Sequence, residues 1–338
     1  MFIKFGLVVL YKNFNECLKV SERLSHNSSH SRIYIALDEL WCMFVYGTSF
    51  TEYQALNFLN RTRKNRKTFV TVAWLLEQIK KFNPERFREV FHDKCQFNRK
   101  FKDYLGRDFL EVTEGTTDEE LRSFLSKQES VVIKGAHGCS GKEVMVLNDL
   151  TNLEASVGII RSGSYNLIEQ KIINISTLAA LNPTSLNTCR IVTCHGEGYF
   201  KVLFACLRIG SKGALIDNAT QGGTAAKIDL ETGVISSLFK GNAFRVIENS
   251  QIGRNEKGLQ IPYWKETLSM LKEACKLVPE IHLVGWDVAI TPTGPTLIEG
   301  NESFDSALLQ YWQTAEEEGI KKQFREALIG IPIHRDIK

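Results

Sequence analysis

The stretch LVGWDVAITPTGPTLIEGN, residues 283–301, constrains the fold of this chain more tightly than any other. Two strand-like apolar runs flank Pro-Thr-Gly-Pro at 292–295, a turn composition, so the segment is expected to form a β-hairpin. Side chains alternate along a strand, which puts Leu297, Glu299 and Asn301 on one face. A regular four-residue loop would set Asp287 opposite Gly300. Bringing it opposite Glu299 requires a bulge or an odd-length loop. The carboxylates would then stand about 4.5–5.5 Å apart at Cβ. Two such groups on an apolar hairpin repel each other unless a cation lies between them. With Asn301 they make an all-oxygen set, which suits Mg2+ rather than zinc. The alternative is that one carboxylate faces water while the other caps the next helix.

The rest of the chain offers enough apolar material to build around such a hairpin. Of its 338 residues, 43% are hydrophobic and 24% charged, enough for two or three cores of a soluble protein. A net charge of +3 gives no broad basic surface, so no nucleic-acid partner is expected. RTRKNRK at 61–67 is read as a solvated loop. The eight cysteines include no CxxC pair, so neither a zinc site nor a disulfide framework is signalled. The N-terminal GLVVLY run is too short to span a bilayer. A reduced, cytoplasmic protein with at most peripheral membrane contact follows, its oligomeric state open.

Residues 1–95 read as mostly helical, with a short apolar element at 5–10 and longer segments at 14–25, 34–60 and 73–82. Between 96 and 168, helix and strand signals alternate. Thr117-Asp-Glu-Glu120 is a capping box that opens a helix with Leu121, Phe124 and Leu125 on its apolar face. Beyond 169, strands are expected at 190–194, 201–209 and in the hairpin. One helix is expected to carry Trp264, Leu268, Leu271 and Cys275 on one face, and another to cover about 305–329.

A second constellation is VVIKGAHGCSGKEV, residues 131–144: a buried strand running into a glycine-rich loop. Gly135, Gly138 and Gly141 let backbone N–H groups approach an anion, and Lys134 and Lys142 bracket the loop with charge. It is not a Walker A loop, because five residues instead of four separate its glycines and Glu143, not Ser or Thr, follows the lysine. A plain hairpin turn is the competing reading. His137 and Cys139 lack a third orienting group, which argues against a nucleophile–base pair.

A strand ending in lysine, a glycine-rich loop, a later LIEQKI segment at 167–172 and an Asp…Glu-x-Asn hairpin together resemble the ATP-grasp superfamily. FNRKFKDYLGRDFL (97–110), SLNTCRIVT (185–193), LRIGSKGALIDNATQGGTAAKIDLETG (207–233) and the hairpin are similar to the group associated with sugar transfer and polysaccharide assembly. The resemblance covers about 45–330 and is strongest over 131–301. It implies an α+β, ATP-grasp fold, two subdomains (96–168 and 169–338) gripping ATP, after a largely helical region at 1–95. It implies ATP and Mg2+ as cofactors, one or two ions, with Mn2+ as a substitute.

Carried over by residue, the resemblance gives Lys134 to the ATP phosphates, and Gly135, Gly138, Ser140, Gly141 and Lys142 to the lid over them. Glu169, Gln170 and Ile172 match the hinge beside adenine. Ser176 stands where a ribose carboxylate is usual, with Asn174 near it. Lys94 is the candidate for an earlier phosphate lysine. Arg190 matches a phosphate-facing arginine, and Asp287, Glu299 and Asn301 match the Mg2+ ligands. Arg208, Asn218, Gln221, Gly222 and Gly223 fall where related enzymes shape an acceptor pocket. The implied reaction is ATP-dependent carboxylate–amine ligation through an acylphosphate, with a sugar-linked carboxylate and an amino acid or small amine as substrates. Phosphoryl transfer without ligation and a non-catalytic nucleotide-binding module are the alternatives. On this reading either carboxylate can be removed without harm to the fold.

Overall fold

The computed structural model describes residues 2–137, 144–210, 223–240, 245–247, 257–312 and 317–333, with side chains from residue 14 onward apart from that of Lys240 and those of residues 245–247. The chain begins with α1 (Phe2–Ser25), which absorbs the apolar run at 5–10 and packs beside α2 (Arg32–Tyr46). The segment expected to run from 34 to 60 breaks at Gly47. There φ is 72°, and the Gly47 N–H bonds to the Met43 carbonyl, which ends α2. Ser49 and Glu52 then form a capping box that starts α3 (Phe50–Ala55). α4 (Arg63–Arg66), α5 (Val72–Phe82), α6 (Glu89–His92) and α7 (Lys94–Phe101) complete the helical region.

The basic run at 61–67 is not a solvated loop. Arg66 is buried, forks onto Asp38 at 2.8 and 2.7 Å, and donates to the Phe58 carbonyl. Arg61 is also buried and donates to the Leu56 carbonyl at 2.6 Å and the Glu317 carbonyl at 3.1 Å. Two of the five cations are therefore internal struts, while Arg63, Lys64 and Lys67 remain exposed.

Next comes a four-stranded antiparallel sheet. Its elements are β1 (Phe109–Glu111), α8 (Asp118–Leu125), β2 (Val131–Lys134), β3 (Val144–Leu147), α9 (Leu153–Ser162) and β4 (Leu167–Gln170), with strand order β1-β4-β2-β3. The capping box at Thr117 and Glu120 is present as expected. Leu121 and Leu125 pack with Val131 and Ile133. After α10 (Ser176–Ala179) the chain enters a seven-stranded antiparallel sheet of order β11-β10-β5-β6-β7-β8-β9. Its strands are β5 (Thr188–Gly196), β6 (Tyr199–Ile209), β7 (Thr224–Ile228), β8 (Ile235–Lys240), β9 (Arg245–Ile247), β10 (Leu283–Thr291) and β11 (Gly294–Asn301).

Both faces of this sheet are covered, which is why every residue of β10 is buried. On one face Trp286 packs among Phe91, Phe97 and Phe101, with α11 (Trp264–Cys275) alongside. On the other, Leu283, Val192 and Phe204 meet α5 and α12 (Lys321–Ala327). The helix expected over 305–329 is confined to α12. Residues 306–312 run as turns, because the Gln310 amide pairs like a strand with the Val70 N–H (2.9 Å) and carbonyl (2.7 Å). Glu52 adds a second tie, accepting from the Val72 N–H and the Ser306 hydroxyl. The seven described cysteines are all buried, and none of them is in a disulfide.

One buried charge is poorly provided for. Glu39 on α2 is 1% exposed, and its two oxygens lack a well-formed hydrogen bond among the described residues, with the Cys17 thiol as a weak donor beside it. Burial pushes its carboxyl up to about 8. A folded-state value above the unfolded one means stability is greatest below the unfolded value of 4.5 and is lost as the pH rises toward 8. At about pH 7 the cost is on the order of 3 kcal/mol. Glu39→Gln is therefore expected to raise Tm at neutral pH by several degrees and to flatten the fall in Tm across this window, measured by calorimetry over a pH series. Parallel pH profiles for the two proteins would show that Glu39 does not titrate in the fold.

A candidate active site at the junction of the two sheets

The bulge that the hairpin requires is present. Asp287 pairs with Glu299 and Val288 with Leu297, leaving Ile298 as the extra residue. The turn itself is shorter than the composition suggests, only Pro292-Thr293, with Gly294 and Pro295 already paired in β11. Gly294 has φ 131°, a backbone conformation that glycine adopts without strain. Gly300 is also required, since a Cβ there would meet the Phe91 ring at 2.6 Å.

Asp287, Arg190 and Glu299 align across three adjacent strands, because Asp287 is the register partner of both Arg190 on β5 and Glu299 on β11. Arg190 forks onto Asp287, Nε to Oδ1 at 2.5 Å and Nη2 to Oδ2 at 3.0 Å. Arg208 on β6 reaches Asp287 Oδ2 at 2.9 Å and the Thr188 hydroxyl. Burial opposes the charge on Asp287, yet the Arg190 and Arg208 cations outweigh it and hold the carboxyl down at about 2. Glu299 is pushed up, first by burial and then by the charge of Asp287. The pair thus ionises unequally.

Asn301 donates at 3.4 Å to the Gly285 carbonyl and to Glu299 Oε1, and its own oxygen accepts from no described residue. An all-oxygen set in which burial and the charge of one carboxylate oppose ionisation of its neighbour has the chemistry of a divalent-cation site. Asp287, Glu299 and Asn301 are the residues that fit Mg2+. Asp287 is also the buried partner onto which Arg190 forks, so its removal is expected to cost the fold about 3–5 kcal/mol, where Glu299 carries no such arginine fork.

Beside this cluster lies a cleft of about 390 Å3 between the sheets. Val132, Val144 and Val146 form one wall, Ile172 and Ile298 contribute apolar surface, and Lys134, Arg107 and Glu169 supply charge. Glu169 is buried and its carboxylate is fully engaged, by Lys134, by Arg107 at 2.6 Å and by Asn98 at 2.7 Å. Although burial opposes ionisation, Arg107 and Lys134 drive its carboxyl well below the usual range. The segment that follows β4 borders the cleft with Gln170, Ile172 and Asn174. Asn174 spends its amide on the Asn187 backbone, and Ser176 is exposed at the start of α10 and is not among the residues of the cleft wall. Lys94 opens α7, where its N–H bonds to the Ala136 carbonyl and so fixes it beside the root of the loop that starts at Gly135. Gly223 precedes β7 directly. Gly138, Ser140, Gly141, Lys142, Asn218, Gln221 and Gly222 lie outside the described residues.

Sequence reasoning missed Arg107. Its guanidinium contacts Glu169 on the four-stranded sheet and the Leu297 (2.6 Å) and Ile298 (3.4 Å) carbonyls at the bulge, so it spans the two sheets. The signal was one arginine after Gly106, inside a segment already singled out at 97–110.

A family model described as sugar-transfer associated ATP-grasp matches residues 76–327. The chain belongs to this family. It has the ATP-grasp fold, α+β in class as expected. No curated protein matches it. Among solved structures, this ATP-grasp chain is similar to the D-alanine–D-alanine ligase from Coxiella burnetii, at 11% identity over 63% of this chain and 48% of that one, with a TM-score of 0.38. It is similar to N5-carboxyaminoimidazole ribonucleotide synthetase from Thermotoga maritima, at 10% identity, 78% and 57% coverage and a TM-score of 0.44. It is also similar to the ATP-grasp ligase PsnB, at 15% identity, 78% and 70% coverage and a TM-score of 0.43. The chain spans roughly half the length of the first two, 48% and 57%.

The carboxylate pair makes a measurable commitment. Because the folded value of Glu299 is raised, its ionisation costs stability as the pH rises. Glu299→Gln is expected to melt several degrees above the unsubstituted protein in EDTA at about pH 8, a difference that vanishes near pH 4. Millimolar Mg2+ should raise the Tm of the unsubstituted protein and leave the variant unchanged. Equal Mg2+ shifts in both proteins would remove Glu299 from the cation site.

Proposed function

We propose that this chain is an ATP- and Mg2+-dependent carboxylate–amine ligase that joins a sugar-linked carboxylate, such as a uronic acid, to an amino acid or other small amine. The observation that carries the reading is the convergence of Asp287, Glu299, Arg190 and Arg208 on one sheet face beside the cleft. The family description supports the sugar context. In this reading the cleft takes the nucleotide, with adenine against its valine wall and the hinge at 167–172. Lys134, already steered by Glu169, addresses the phosphates as a point charge. Mg2+ held by Asp287, Glu299 and Asn301 would neutralise charge on the β- and γ-phosphates.

The substrate carboxylate attacks the γ-phosphorus and ADP leaves. The amine then adds to the acylphosphate carbonyl and phosphate departs. Positioning and charge neutralisation do most of the work in such a transfer. Arg190 and Arg208 contribute the positive charge on the side of the transferring group, and Arg208, the more exposed of the two, is assigned to the acceptor carboxylate.

With a uronic acid and an amine present together, ADP release is expected to exceed that with either alone, and hydroxylamine should trap the activated acyl group as a hydroxamate. ADP release that tracks phosphorylation of a sugar hydroxyl, with no hydroxamate, would establish a kinase instead. Lys134→Ala offers an independent check of the nucleotide site. Glu169 keeps Arg107 and Asn98 in that variant, so the fold should survive. ATP affinity measured by calorimetry should fall about 10- to 100-fold while adenosine binding changes little. An equal loss for both ligands would make Lys134 a structural residue.

A further inference from the structure

Helix α2 lies outside the matched family region and is apolar nearly all round. One side, with Ile35, Cys42 and Met43, is buried. The other presents Ile33, Tyr34, Leu37, Trp41 and Val45 to solvent, from 38% exposure at Val45 to 74% at Ile33. At helical spacing these five fall within an arc of about 120°. No acid interrupts it, since Glu39 is buried and Asp38 is engaged by Arg66 and the Tyr53 hydroxyl. Phe14 and Leu18 add exposed apolar surface on α1, at the end where Arg32 bonds to the Leu18 carbonyl.

The flank of this stripe is basic. Arg63 lies over the Trp41 ring, 5.5 Å from its centroid, and exposed Lys64 and Lys67 belong to the same short element. Arg66 fixes that element against α2 through Asp38, and the Tyr46 hydroxyl bonds to the Arg63 carbonyl. The division noted in the 61–67 run now has a use. Its two buried arginines anchor the element and leave three cations at the margin of the apolar stripe.

We propose that this face docks on an anionic phospholipid bilayer, with α2 lying in the plane of the headgroups. Aliphatic side chains, Trp and Tyr on one helix face with Arg and Lys beside them match what an anionic interface rewards. A second copy fits less well, because a two-fold contact through this face would bring two basic clusters together. No described helix is long and apolar enough to cross a membrane, so the contact is superficial.

Trp41 makes the test specific. Of the five tryptophans, Trp74, Trp264, Trp286 and Trp312 are buried and only Trp41 is exposed. The full chain should float with vesicles of phosphatidylcholine containing phosphatidylglycerol and far less with phosphatidylcholine alone. Its tryptophan emission should shift to the blue on binding, and added salt should weaken the association. Leu37→Glu with Val45→Glu, both at exposed positions, should lower the bound fraction about tenfold. Lys64→Glu with Lys67→Glu should lower it on the anionic vesicles alone. Failure of the unsubstituted chain to bind anionic vesicles would overturn the proposal. So would binding that survives Leu37→Glu with Val45→Glu, or a dimer in sedimentation that those substitutions dissociate without any vesicle binding.

Discussion

Ile298 is the residue on which the site geometry turns. A regular two-residue hairpin at Pro292-Thr293 would pair Asp287 with Ile298, a residue of opposite facing to Glu299. One extra residue in β11 restores the carboxylates to a common face and register. The same distortion places Ile298 in the wall of the cleft and presents its carbonyl, with that of Leu297, to Arg107. One irregularity therefore serves the acid pair, the cleft and the contact between sheets.

Around that bulge the charges are arranged in two separate circuits. In one, Asp287 is shared by Arg190 and Arg208 and confronts Glu299. In the other, Glu169 is shared by Arg107 and Lys134. Each circuit sets one buried carboxylate between two cations, and in each the cations hold that carboxyl below the usual range against the cost of burial. Their burial makes them sensitive to the loss of either partner.

Much of this was legible in the sequence because the signals were local. The capping box at Thr117, the strand ending at Lys134 and the need for a bulge between Asp287 and Glu299 all follow from spacing within a few residues. The break at Gly47 was equally local, a C-cap glycine followed by a Ser49–Glu52 capping box, and was overlooked within a longer apolar run. Other features have no local signature. Gln310 prevents a helix by pairing with Val70, 240 residues away in sequence. Arg61 and Arg66 look like a solvated charge run until Asp38 and the Glu317 carbonyl are brought to them. Arg107 acquires its meaning only when two sheets meet.

The buried cysteines give the molecule an internal set of reporters. Cys17 and Cys42 lie in the N-terminal helices, Cys95 in α7, Cys194 in the large sheet and Cys275 in α11. Burial pushes these thiols up, to about 11 at Cys95 and about 12 at the others. Almost none is thiolate at neutral pH while the fold is closed, so alkylation has to wait for each layer to open. The order in which they react would read out the hierarchy of local opening, layer by layer, with no cysteine introduced.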